Sequence, residues 1–175
     1  MECDFRERIC KIRMLLSDVD GVLTDGGIII DDHGVETKCF DVKDGHGIKL
    51  LQRAGIIVAL LTGRSSHVVE YRAAELGIQN VIQGAKDKKA AYTTLKQQSG
   101  YTDEEIAYMG DDVVDIPILK RVGVGIAVKN AADEVKAVAD YVTVCPGGHG
   151  AVREVSELIL KTQNYWEKLM EKYQA

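Results

Sequence analysis

Only two prolines, Pro117 and Pro146, occur in 175 residues, and no Pro-, Gly- or Ser-rich linker divides the chain. The four cysteines, Cys3, Cys10, Cys39 and Cys145, form no C-x-x-C pair, so neither zinc-site nor thioredoxin-type spacing is present. Reduced thiols are the expectation. No run approaches the roughly 20 apolar residues of a membrane span. The opening residues, Met1 to Arg8, are charged and lack the apolar segment of a signal peptide. A basic excess is also missing: 22 Lys and Arg stand against 27 Asp and Glu, a net charge of −5. That balance argues against nucleic-acid and membrane partners but leaves an anionic substrate open, because a site can be locally positive. There is no internal repeat or low-complexity segment. The expectation is one domain spanning residues 1–175, placed in the cytoplasm. A chain of this length can bury about 70% of the surface its unfolded form exposes, without disulfides or structural metal.

What is present is an alternation of short apolar runs with helical patterns. Residues 1–13 read as a polar lead-in with at most a helical turn. Met14 to Ser17 reads as a strand that runs into Asp18-Val19-Asp20-Gly21. A β-branched run, Ile28 to Ile30, the turn signal Asp32-His33-Gly34 and an alternating stretch to Val42 predict a projecting β-hairpin over about 27–42. After Asp44-Gly45-His46-Gly47 a helix carries Ile48, Leu51 and Ala54 and stops at Gly55. Ile56 to Thr62 is apolar until its last residue, the pattern of a parallel strand buried on both faces.

A helix capped by Ser66 ends at Gly77, and Val81-Ile82 is a short strand. A lysine-rich helix starts near Lys86 and runs to Gly100. Thr102 to Glu105 has capping-box spacing and predicts a single turn. The strand Ile106 to Met109 then leads into Gly110-Asp111-Asp112. Helices are predicted at 116–122 and 131–139, strands at 124–128 and 141–144, and a flexible loop at Gly147 to Gly150. A helix over about 151–161 and a tail over about 162–175 follow. Strand–helix alternation of this kind means α/β with a parallel sheet, a three-layer Rossmann-like arrangement.

Three apolar strands end in polar residues: Asp18 and Asp20, Thr62, and Asp111 with Asp112 and Asp115 beyond. Ligand sites of open parallel sheets lie outside the carboxyl ends of the strands, so these residues can converge. Several carboxylates without histidine or cysteine make a hard oxygen site, for which Mg²⁺ is the fitting ion. A hydroxyl and a lysine beside it suit a phosphoryl group, and Lys86, Lys88 or Lys89 can supply the ammonium. An ionised Asp can attack phosphorus, and a second, two residues on, can move protons.

Asp18-Val19-Asp20-Gly21-Val22, Thr62-Gly63-Arg64, Lys88 and Gly110-Asp111-Asp112-x-x-Asp115 resemble, in order, the four motifs of the haloacid dehalogenase superfamily of phosphatases. Phe40-Asp41-Val42-Lys43-Asp44-Gly45 and Gly147-Gly148-His149-Gly150-Ala151-Val152-Arg153-Glu154 are further similar to the cap-less family of 3-deoxy-D-manno-octulosonate 8-phosphate phosphatases. The resemblance implies that Asp18 is the nucleophile and a Mg²⁺ ligand, and that Asp20 is the general acid/base, with its backbone carbonyl on the metal. It implies that Thr62 and Lys88 hold the phosphoryl oxygens, that Asp111 ligates Mg²⁺, and that Asp112 and Asp115 support it. Asp20, Asp41, Val42, Lys43, Asp44, Gly45, Lys49, Arg64, Arg72 and Lys88 would contact the substrate. Family members often carry Asn and Arg where this chain has Asp41 and Lys43. Lys43 keeps the charge without the guanidinium fork, and Asp41 sets an acid beside an anionic substrate.

No segment between the motifs is long enough for a cap domain. The hairpin would expose Ile28, Ile29, Ile30 and Phe40, and an isolated hairpin is marginal in water. The family's homotetramer fits this, with active sites near subunit interfaces and a lid supplied by a neighbour's Gly147–Gly150 loop or tail. Blander readings stand beside these. Thr62 can be a helix cap and Arg64 and Arg72 solvated residues. His33, His46, His67 and His149 can be surface or turn residues, and Tyr165, Trp166, Leu169 and Tyr173 tail packing. Competing functions are a phosphatase for a nine-carbon sugar-acid 9-phosphate, a phospho-acceptor receiver and a non-catalytic homologue. Arg64 favours the eight-carbon substrate, because the nine-carbon enzymes carry glutamate after the Thr-Gly. A receiver's phospho-accepting Asp ends a later strand than its acidic pair.

Overall fold

The sheet is built outward from Met14–Ser17 (β1), whose Met14, Leu15 and Leu16 are wholly shielded from solvent. The computed structural model describes residues 2–174, with side chains from Asp4 onward. β1 pairs in parallel with Ile57–Leu61 (β4) on one side and Ile106–Gly110 (β6) on the other, with Ser17 opposite Leu60 and Met109. Asn80–Ile82 (β5), Val124–Ala127 (β7) and Tyr141–Val142 (β8) complete a six-stranded parallel sheet in the order β5-β4-β1-β6-β7-β8. Ile29–Ile30 (β2) and Glu36–Thr37 (β3) form a separate antiparallel ribbon. The chain winds from β1 to β4 and β5, then crosses back to β6. The strand order therefore reverses between β1 and β6, the place where open α/β sheets bind ligands.

Glu2–Lys11 (α1), Ala151–Thr162 (α7), Val42–Arg53 (α2) and His67–Leu76 (α3) pack in series on one face, α1 on α7, α7 on α2 and α2 on α3. Lys88–Ser99 (α4) and Ile116–Leu119 (α5) pack together on the other, and Asp133–Lys136 (α6) lies against β7. The architecture is the expected three-layer α/β fold with a projecting hairpin, and the described residues contain no cap domain. None of their helices is long and apolar enough to cross a membrane.

Several elements differ from expectation. The lead-in is a ten-residue helix, held down by Ile9 and by Arg8, which donates to Gly123 O at 2.7 Å and pairs with Asp140 at 2.6 Å. Val42 opens α2 instead of ending the hairpin, because the Asp41 carboxylate caps that helix, accepting from Lys43 N–H at 2.5 Å. Asp44 to Gly47 are thereby helical. The predicted helices at 116–122 and 131–139 shrink to four residues each, the first behind a 3₁₀ turn at Val113–Asp115. The last strand ends at Val142, and Ser66 sits at the cap position of α3 without a capping bond. Cys10, Cys39 and Cys145 are free thiols, and the side chain of Cys3 lies outside the described residues.

The Gly147–Gly150 loop is fixed to its own chain, not free. Gly148 N–H donates to Val22 O at 2.9 Å, and a Cβ on Gly147 would stand 1.8 Å from Gly21 O. The loop thus buttresses the turn after β1. The tail also folds home. The ring of Trp166, at the start of Trp166–Glu171 (α8), lies under Arg153 and Lys161, and Tyr173 OH meets Arg53 at 2.7 Å.

Candidate active site

Asp18 is the first residue beyond β1. Its N–H still donates to Met109 O at 3.0 Å, so the sheet ladder itself sets its backbone. Its Oδ1 accepts from Val19 N–H at 2.6 Å. Lys88 opens α4, whose cap is Asp87, and its ammonium bridges Asp18 Oδ2 at 2.5 Å and Asp115 Oδ1 at 2.6 Å. The three side chains are 8%, 6% and 0% exposed for Asp18, Lys88 and Asp115. Lys86 and Lys89 are exposed, so the open choice among the lysines falls to Lys88. Thr62 follows β4 and is buried, with its N–H on Ile82 O at 2.9 Å.

Asp115 is an anchor more than a free ligand. Its Oδ1 also accepts from Tyr108 OH at 2.6 Å, and its Oδ2 from the N–H groups of Asp111 and Asp112 at 3.0 and 3.2 Å. Asp112 is exposed and caps the 3₁₀ turn, accepting from Val113 N–H at 2.7 Å. Tyr108 escaped the sequence reading. The available signal was a tyrosine inside an otherwise apolar central strand, since a buried phenol needs a partner.

Burial pushes the Asp18 carboxyl up to about 6, with Lys88 pulling it down and Asp115 pushing it up. Burial, then the charges of Asp18 and Asp115, raise Asp111 to about 7. Burial opposes the Lys88 charge, but Asp18 and Asp115 outweigh it and raise its pKa. One ammonium thus faces three acids whose oxygens lie within 4.8 Å of one another. The Asp111 carboxylate accepts no hydrogen bond from a described residue. Gly21, at φ +86°, keeps the space beside it open: a Cβ there would stand 2.0 Å from Asp111 Oδ2. Unmatched anionic oxygens facing an open space fit a hard divalent cation.

Asp20 points elsewhere. Its Oδ1 is held by Lys38 and its Oδ2 faces Arg64 Nε at 3.7 Å. Its carboxylate is therefore outside the metal-type cluster, which leaves its backbone carbonyl as the group the resemblance assigned. Glu36 binds Arg64 at 2.7 Å and Lys38 at 3.3 Å. The Ser66 hydroxyl, then Arg64 and Lys38, hold the Glu36 carboxyl down to about 2. Lys38 and Glu36 were not foreseen, because nothing local marks a charged ribbon residue as facing a turn far away in the chain.

Asp18, Asp20, Thr62, Arg64, Lys88, Asp111 and Asp112 line one cavity of about 320 Å³. Asp41, Val42, Lys43, Asp44, Gly45, Lys49 and Arg72 do not line it. Asp44 faces inward, accepting from Gly150 N–H at 3.2 Å and Arg153 N–H at 2.7 Å, and so ties α2 to the start of α7. Burial raises its pKa against those bonds. Arg72 lies over the Phe40 ring, against Gly45, and pairs with Glu75 at 2.8 Å. Val42 is largely exposed.

Residues 80–154 match the family model described as haloacid dehalogenase-like hydrolase, a class that fits a parallel sheet with a lysine among three acids at its switch point. The 3-deoxy-D-manno-octulosonate 8-phosphate phosphatase of Yersinia pestis is 44% identical over 164 residues, covering 94% of this chain and 88% of that protein. The chain belongs to the 3-deoxy-D-manno-octulosonate 8-phosphate phosphatase family. The phosphatase of the same name from Escherichia coli K12 is 45% identical over 153 residues, 87% of this chain and 81% of its own length. The solved structure of the Moraxella catarrhalis phosphatase, in complex with magnesium ion, phosphate ion and KDO, superposes with a TM-score of 0.96 at 43% identity. It covers 99% of both chains.

Proposed function

We propose that this chain is a Mg²⁺-dependent phosphomonoesterase that hydrolyses 3-deoxy-D-manno-octulosonate 8-phosphate to the free sugar acid and phosphate, in lipopolysaccharide precursor synthesis. The observation that carries it is the Asp18–Lys88–Asp115 bridge beside the unmatched Asp111 carboxylate, at the switch point of a chain in this family. The relatives' names favour the eight-carbon substrate over the nine-carbon one.

Asp18, Asp111 and the Asp20 carbonyl would hold Mg²⁺, with Asp112 and Asp115 supporting them. The ion would offset phosphate charge and keep Asp18 ionised. An Asp18 oxygen attacks phosphorus as the bond to the sugar oxygen breaks, and that oxygen takes the Asp20 proton. Water then attacks the aspartyl phosphate, gives its proton to Asp20, and the Asp18–phosphorus bond breaks. Thr62 and Lys88 hold the phosphoryl oxygens throughout. Arg64 reaches for the sugar acid.

The functional unit is the whole chain, 1–175, acting in the cytoplasm as a homotetramer. Ile28, Ile29, Ile30 and Val35 are each more than half exposed on the ribbon, an apolar face that suits burial against other copies. At the start of α2, Asp41, Val42, Lys43 and Gly45, with Lys49 and Arg72, would then contact a substrate in a site shared across an interface, while Asp44 holds α2 to α7.

Phosphate release from a panel of sugar-acid phosphates tests the reading. The eight-carbon phosphate is expected to give the highest kcat/KM, and a higher value for the nine-carbon ester would overturn the substrate. Chelation is expected to abolish turnover and lower the melting temperature, and added Mg²⁺ to restore both. A metal-independent rate would remove the ion from the reading. Many turnovers per chain exclude a receiver. Ile29→Asp is expected to reduce the tetramer to smaller species in light scattering, and an unchanged mass would place the interface elsewhere.

A further inference from the structure

The ribbon carries a covered lysine that faces the turn after β1. Lys38 lies just past β3, and although the residue as a whole is half-buried, its side chain is only 2% exposed. An ammonium withdrawn from water needs anionic partners. Lys38 has two, Asp20 Oδ1 and Glu36 Oε1. Arg64 reaches the same two carboxylates from the loop after β4. The four groups close a square in which anion and cation alternate. Asp20 and Arg64 line the cavity, whereas Lys38 and Glu36 do not.

We propose that Lys38 is a positioning residue for Asp20, holding its carboxylate at the cavity wall and stabilising the anion left when Asp20 gives its proton to the leaving oxygen. The inference rests on the phosphatase reading. Two carboxylates separated by one residue repel, and without Lys38 only Arg64 Nε, 3.7 Å away, would face the Asp20 carboxylate. Lys38 touches one Asp20 oxygen and leaves the other to the cavity side, shared with Arg64. In the first half-reaction the Asp18–phosphorus bond forms, the phosphorus–ester oxygen bond breaks, and the Asp20 proton passes to that oxygen. The carboxylate so formed already faces the Lys38 ammonium. Glu36 in turn keeps Lys38 and Arg64 in place. Lys38 therefore matters in proportion to how much proton the leaving oxygen requires.

A series of aryl phosphates whose phenols differ in acidity, taken with the sugar-acid phosphate, tests this on the Mg²⁺-loaded protein. kcat/KM is the readout, because it reports only the steps up to leaving-group departure. In Lys38→Met the loss is expected to grow from within about 3-fold on p-nitrophenyl phosphate to about 10²-fold on phenyl phosphate, the usual worth of a proton-transfer catalyst. Lys38→Arg is expected to recover most of it. Glu36→Gln, which leaves Lys38 itself intact, is expected to steepen the series in the same direction by less. A uniform loss across the series would mean a merely structural lysine. A loss confined to the sugar-acid phosphate would mean a substrate contact. Either result overturns the proposal, as does a flat series in Glu36→Gln should Lys38→Met fail to fold. If the wild-type protein hydrolyses none of these esters, the phosphatase reading falls instead.

Discussion

Asp18→Asn is expected to lower phosphate release by about 10⁴-fold or more, the scale of removing a nucleophile from a unit that acts together. The variant should nonetheless fold, because asparagine matches the carboxylate in volume and can still accept from Val19 N–H. Its stability carries a distinct signature. In the metal-free protein burial raises the Asp18 carboxyl from 3.8 to about 6, so the native state binds the proton more tightly than the unfolded chain does. Below pH 3.8 that difference costs nothing, since both states are protonated. As pH rises through the interval up to about 6, the native state loses stability, reaching about 3 kcal/mol for two units of pKa. Asparagine carries no such cost, while Lys88 keeps Asp115 as its partner. Metal-free Asp18→Asn should therefore unfold at higher denaturant concentration than wild type at pH 7, and the two should converge near pH 4. Mg²⁺ at a thousand times its Kd should reverse the order at pH 7, since at that concentration a ligand adds about 4.1 kcal/mol to the protein that binds it. Equal activity in the variant, or a pH-independent stability difference, would remove Asp18 from the role assigned to it.

The fold was legible where burial is two-sided. β1, β4 and β6 read as continuous apolar runs because both faces of each strand are covered by helices. The strand ends were legible for the same reason, since Asp18, Thr62 and Asp111 each break an apolar run abruptly. The choice of Lys88 over Lys86 was not legible from spacing, because it depends on where Asp87 caps α4, and either start fits the sequence. Asp44 was read as a substrate contact. Its burial against the start of α7, more than a hundred residues on, has no local signature. The short helices at Ile116–Leu119 and Asp133–Lys136 failed for the opposite reason: apolar spacing continued past the point where backbone bonds close only turns. Lys38 combines both difficulties, being a charged residue on an exposed ribbon whose partner, Asp20, is set by how the ribbon folds back.

Lys88→Met is expected to be the most destabilising single change at the site. Methionine keeps the length of the side chain and removes the charge, leaving Asp18 and Asp115 facing each other with Asp111 close by. Breaking a buried ion pair by removing one partner costs about 3–5 kcal/mol, because the remaining charge is neither paired nor hydrated. Here one cation serves two carboxylates, so the upper part of that range is expected for the metal-free protein at pH 7. For a chain of this size that corresponds to a fall in melting temperature of roughly 10 °C. The deficit should shrink toward pH 5, since Asp18 and Asp111 already titrate near 6 and 7 with Lys88 present and should rise further without it. Mg²⁺ should restore much of the stability by supplying positive charge to the same oxygens. It should not restore turnover, which is expected to stay about 10²–10³-fold below wild type, because the ammonium that meets the phosphoryl oxygens is gone. Denaturant unfolding at pH 5 and 7, with and without Mg²⁺, separates the two contributions. A variant as stable as wild type in all four conditions would show that Lys88 does not hold the acids together. One that recovers full activity with Mg²⁺ would show that it does not act on the phosphoryl group.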